Sequence, residues 1–298
     1  MATNFLKTTI EKIENNQQIS FWRVFFLIYA ASFLRGFLEN YANADNQNRI
    51  TGIFDTFFHY PFWFAGVFLA VFILLKILTK EKIEKISRLG AIFVFIIILP
   101  PILDLIIKGS QVRYAFIVGN FSDLLHSFFS FYGGIPGRAM GATIGIKIEI
   151  LLAMLAVGYY TLLKTKKIGR ALACALILYT IVFIFISLPT LIFVAKNATS
   201  VNRQPVTYRS INDFYYKQEP ANTLTKDRTF IFENSNIGLS KIQNINNQYS
   251  ITLSIIFLVI DILLLGWWFW FYNAKKFIAV IKNFRSLRII HYFLMALL

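Results

Sequence analysis

Six apolar runs fenced by charged residues constrain this chain more than anything else in it. They fall near 20–37, 57–78, 89–107, 144–163, 171–195 and 251–271. A helix needs roughly 20 residues to cross the hydrocarbon core of a bilayer. Backbone groups in lipid can be satisfied only within helices or closed barrels. The short alternating segments of a barrel are absent. The expected fold is therefore all-α, a polytopic transmembrane helical bundle of about six spans in the cell membrane.

Composition agrees, with 57% hydrophobic and only 15% charged residues, where a soluble domain carries about 25% charged. A net charge of +15 would suit nucleic acid. Most Lys and Arg, however, sit in short clusters between apolar runs, where orientation signals belong. Membrane lipid and other membrane helices are the expected partners, and nucleic acid is not. Cys174 is the one cysteine and lies in a span, so no intrachain disulfide or thiolate metal site can form.

Basic clusters at 76–88, 164–170 and 275–288 would face the cytoplasm together with the N-terminus. Residues 1–19 are polar, with Phe5, Leu6, Ile10 and Ile13 at helical spacing, and are expected to lie on the membrane surface. The membrane domain then covers 20–273 and includes a long Asn-rich outer loop at 197–249. With this parity, the apolar stretch 114–132 cannot be a span without placing the 164–170 cluster outside. It reads as a re-entrant or interfacial helix on the outer side.

The unusual charges concentrate between Pro100 and Glu149. Pro100-Pro101 should kink or end the third span, and Thr143 is placed to cap the fourth. Arg35, Glu39, Asp104, Arg113, Asp123, His126, Arg138 and Glu149 form a candidate polar pocket at the outer face, for an anionic or lipid-linked head group. The same residues could instead be ion pairs that lock the spans together. Glu149 lies about one turn inside the membrane, within range of Arg35, Arg113 and Arg138, whereas Lys147 points to another face. The Gly-rich turn 133–137 could hold an anion at the following helix N-terminus. It lacks a nucleotide-loop pattern.

Asp261 lies near the middle of the sixth span. It reads either as an ion- or proton-coupling group or as a polar clasp between helices, with Tyr179 and Thr180 of the fifth span as hydrogen-bond partners. The aromatic cluster at 267–272 suggests an interfacial belt. His59, His126 and His291 are too dispersed for a metal motif, so no metal and no cofactor is expected. The loop 197–249 could form a cap or be disordered.

Residues 274–298 form a basic turn and an apolar tail, expected to begin a truncated seventh span. The string SLRIIHYFLMALL at 286–298 resembles the opening of the first span of UbiA-type membrane prenyltransferases. FFHYPFWFAGVFLAVFILLKILT and SLPTLIF are similar to membrane segments that precede such domains. The resemblance implies polyprenyl transfer from a diphosphate with Mg²⁺ held by two Asp-rich motifs. Asp45, Asp55, Asp104, Asp123, Asp213, Asp227 and Asp261 never form such a motif, so Mg²⁺ would enter only with a further prenyltransferase domain and no catalytic residue is carried over. The leading expectation is a non-catalytic membrane module with an outer polar pocket for a lipid head group or partner helix. The alternatives are the N-terminal part of a prenyltransferase and a small secondary transporter.

Overall fold

The structure, a computed structural model, describes residues 2–42, 55–108, 119–133, 142–199, 204–207, 210 and 239–283. Among these there is no strand, and six helical stretches are long and apolar enough to cross a membrane. The tail 284–298, most of the loop 197–249 and most of the Gly-rich turn lie outside the described residues.

The first helix, α1 (Ala2–Glu14), precedes α2 (Phe21–Ala42). A π-helical turn at Asp55–His59 leads into α3 (Tyr60–Thr79), with Pro61 in its first turn, where a missing N–H costs nothing. The third crossing has three pieces: α4 (Ile83–Phe93), a 3-10 segment (Val94–Ile98) and α5 (Leu99–Lys108). The short α6 (Phe121–Phe129) follows, then α7 (Ile144–Thr165) and α8 (Ile168–Ala198). The last helix, α9 (Leu239–Asn283), begins inside the segment expected to be loop.

Helix α3 is central and packs on α2, α8 and α9, while α7 pairs along α8 and α5. Apolar burial does not drive helices together in lipid, so close packing and polar ties must hold the bundle. Two of those ties repair proline defects. Pro101 cannot bond the carbonyl four residues back, and that Ile97 oxygen instead accepts from Arg35 Nη1 at 3.1 Å. Pro189 within α8 frees the Phe185 carbonyl in the same way, and Trp63 Nε1 of α3 donates to it at 3.3 Å. The third span is thus broken as the prolines require, but the irregularity lies before them, in the 3-10 turn.

Further ties fix the two ends. Lys80 and Lys166 end α3 and α7 in the left-handed conformation, with φ of 62° and 57°. The clusters at 76–88 and 164–170 meet there, since Lys164 Nζ lies 3.6 Å from Glu81. The end of α9 joins them through Trp268, whose Nε1 donates to Ser87 at 2.9 Å. Trp268 is therefore buried in an inter-helix tie, not in the lipid-facing belt its neighbours Trp267 and Trp270 form. Beyond it, α9 bends at Asn273, whose side chain accepts from Lys276 N and restarts the helix. Phe277 then folds back against Phe269 and Trp270.

The N-terminal helix is docked on the bundle at its C-terminal end. Phe5 and Leu6 are exposed, but Ile10 and Ile13 pack on the core and Glu14 is buried. The reason is polar. Glu14 accepts from Tyr160 Oη at 2.7 Å and from Lys164 Nζ at 2.6 Å, while Arg88 Nη1 donates to its carbonyl at 2.6 Å. These groups draw the end of α1 into the bundle.

Candidate functional site

Arg35, one of the three arginines expected within range of Glu149, is paired with it. Arg35 Nη1 donates to both carboxylate oxygens, at 2.9 and 2.8 Å. The guanidinium also lies 4.9 Å from the centre of the Phe64 ring. With side chains only 3% and 13% exposed, the two charges are held away from water. Separating such a pair leaves a buried charge, at a cost of several kcal/mol.

One turn earlier on α7, Asp104 of α5 closes the helix start. Its Oδ1 accepts from Gly145 N at 2.9 Å and its Oδ2 from the Thr143 hydroxyl at 2.5 Å. Thr143 Oγ1 accepts in turn from Ile146 N at 3.3 Å, the cap expected of it. Helix N-termini attract anions through their unpaired N–H groups. Here the protein's own carboxylate lies at that N-terminus, where an external anion could have sat. Gly145 makes the approach possible, because a Cβ there would lie 2.6 Å from the Pro100 carbonyl oxygen.

Asp123 stands apart from this pair of contacts. Its carboxylate accepts from Asn120 N at 3.1 Å, and Asn120 Oδ1 accepts from Asp123 N at 2.8 Å, a reciprocal cap that starts α6. His126 lies in the exposed last turn of the same helix. Arg113, Arg138 and the side chain of Glu39 lie outside the described residues. The structure thus brings Arg35, Glu149 and Asp104 together around the first turns of α7.

The end of α6 is an aromatic plug. Phe131 and Tyr132 are consecutive left-handed residues, with φ of 53° and 59°. That conformation costs bulky residues roughly 1–2 kcal/mol each. Tyr132, 1% exposed, donates to the Tyr179 carbonyl at 3.1 Å, and Tyr179 donates back to the Phe128 carbonyl. Phe131 stacks on Tyr179 with 5.5 Å between ring centres. The short helix therefore tucks its last turn against the middle of α8.

Asp261 is buried, and neither carboxylate oxygen has a hydrogen-bond partner among the described residues. Tyr179 and Thr180 do not reach it: Tyr179 serves the plug, and Thr180 donates to Leu176 in its own helix. The expectation failed because α9 packs on α3 and not chiefly on α8. Asp261 lies instead over Gly66, where a Cβ would come 2.7 Å from its Oδ1.

Below the Arg35–Glu149 pair runs an apolar cleft that composition could not reveal. Helix α3 forms its floor, α4 with the 3-10 segment one wall, and α7 with α8 the other. Its volume is about 110 Å³ for the centre of a water-sized sphere. Lining residues on α3 run from Trp63 to Leu75, a length of roughly 18 Å at ~1.5 Å per residue. Among the described residues, Arg35 and Glu149 are the only charged ones on its wall. Half-exposed Phe93 and Ile96 face half-exposed Ala153 and Ala156 across it. Among the described residues no cluster of His, Cys, Asp or Glu is able to hold a metal ion.

Fold and spans define a multi-pass integral membrane protein. Compared with family models, curated proteins and solved structures, the chain matches none.

Proposed function

We propose that this membrane protein binds one hydrocarbon chain of a lipid in the cleft beside α3, with the lipid's polar end near Arg35 and Glu149. The observation that carries the reading is an elongated apolar cleft whose charged groups gather at one end. Ligand sites of this kind are mostly apolar, with a few placed polar groups that fix orientation. A bare apolar void also forfeits dispersion contacts along its lining, and a methylene chain would restore them. Arg35 remains paired to Glu149 throughout, so it orients a head group without being freed. Positively charged segments face the cytoplasm in most membranes, which puts the Glu14 end inside and the Arg35–Glu149 end outside.

The test is to fill the cleft. Ala153→Phe places a ring across it, one helical turn from Glu149. The wild-type protein, purified in mild detergent and examined by native mass spectrometry, should retain about one lipid per chain in the cleft. The variant should lose most of that occupancy while melting within a few degrees of wild type. Equal retention by both would refute the cleft as the site.

A further inference from the structure

A second hollow lies at the opposite end of the bundle, on the other side of α4. Its volume is about 650 Å³, between the α1–α2 connection, the first turns of α4 and the end of the α9 span. Aromatic residues form much of its wall. Phe21 stacks on Trp268 at 3.9 Å between ring centres, and Trp268 stacks on Tyr272 at 5.3 Å. Trp22 and Phe269 complete it.

Among the described residues, the two charged ones on that wall are Glu84 and Arg88, one turn apart on α4. Residues at this spacing usually pair, yet these do not. Arg88 is drawn away by the carbonyls of Glu14 and Ile19, to which its Nη1 and Nε donate at 2.6 and 3.3 Å. Glu84 is left with no ion pair among the described residues. Its place in the first turn of α4 suits the helix dipole but supplies no cation. Arg88 Nη2 has no hydrogen-bond partner among the described residues and is available to an anion.

From this juxtaposition we infer that the hollow binds the head group of an amine-bearing phospholipid. The ammonium group meets the Glu84 carboxylate and the faces of the aromatic wall, and the phosphate meets Arg88. Carboxylate and ring faces together are what recognise an alkylammonium ion. Trp and Tyr at a span end also belong at head-group level. Glu84 disfavours an anionic head group lacking the amine.

The full chain would be offered equal amounts of palmitoyl-oleoyl phosphatidylethanolamine and phosphatidylglycerol in detergent, with retained lipid read by native mass spectrometry. Wild type should retain the ethanolamine lipid about tenfold over the glycerol lipid. Glu84→Gln should abolish that preference. Trp22→Leu, at a residue 61% exposed and therefore safe for folding, should weaken it severalfold. Neither variant should alter a lipid lost on Ala153→Phe, which separates this site from the cleft. Equal retention of the two lipids by wild type, or an intact preference in Glu84→Gln, would overturn the inference.

Discussion

The two ends of the bundle both bury charged groups, and they do so to different purposes. At the Arg35 end, two charges satisfy backbone groups of the spans: Arg35 takes the Ile97 carbonyl freed by Pro101, and Asp104 takes the Gly145 N–H in the first turn of α7. At the Glu14 end, the charges hold a separate element. Glu14, Tyr160, Lys164 and Arg88 fasten α1 to a bundle that is already complete without it. Charge removed from the first end should loosen the membrane core itself. Charge removed from the second should release a helix.

The largest effect should follow Arg35→Ala, which takes the bidentate guanidinium away from buried Glu149 and from the Ile97 carbonyl. A loss of about 3–5 kcal/mol is expected, read as denaturant-induced unfolding of the whole bundle in detergent. Replacing both partners, Arg35→Met with Glu149→Leu, should recover a good part of it. If the double variant is no better than the single one, the buried-charge explanation fails.

Glu14→Gln comes next, because a neutral side chain leaves Lys164 without its closest carboxylate. About 1–3 kcal/mol is expected. It should appear as faster hydrogen exchange over residues 2–14, while the melting of the six spans barely moves. A concerted loss of protection across the spans would erase the distinction between the two ends. The smallest effect is that of Asp104→Asn, which keeps an acceptor for Gly145 N and loses the negative charge at the start of α7. About 1 kcal/mol is expected, confined to hydrogen exchange in the first turns of α7.

Much of the fold was legible because bilayer physics is one-dimensional. Apolar run length located the six spans, two prolines located the break in the third, and a carboxylate inside a span demanded a nearby cation, which Arg35 supplies. What escaped needed neighbours in space. Sequence order suggested that α9 would lie against α8, so Asp261 was assigned Tyr179 and Thr180, whereas α9 packs on α3 and meets Gly66. Glu14 looked like one more polar residue of a surface helix. Its spacing from Ile10 and Ile13 puts it on the apolar face of α1, and that was the available signal. Asp123 had a local explanation in the Asn120 spacing, since reciprocal caps put an acidic or amide residue three positions on. The cleft is a gap in packing between helices distant in sequence, and no residue pattern encodes it.

The most direct measurement is photocrosslinking with a lipid that carries a diazirine midway along one acyl chain, in membranes containing the full protein, with adducts mapped by peptide mass spectrometry. The proposed site predicts adducts on cleft residues such as Val67, Val71 and Val157, besides those on lipid-facing positions such as Leu155, Ile177 and Leu263, and their loss in Ala153→Phe. Adducts restricted to the lipid-facing positions would show that no chain enters the bundle, and would contradict the proposed function.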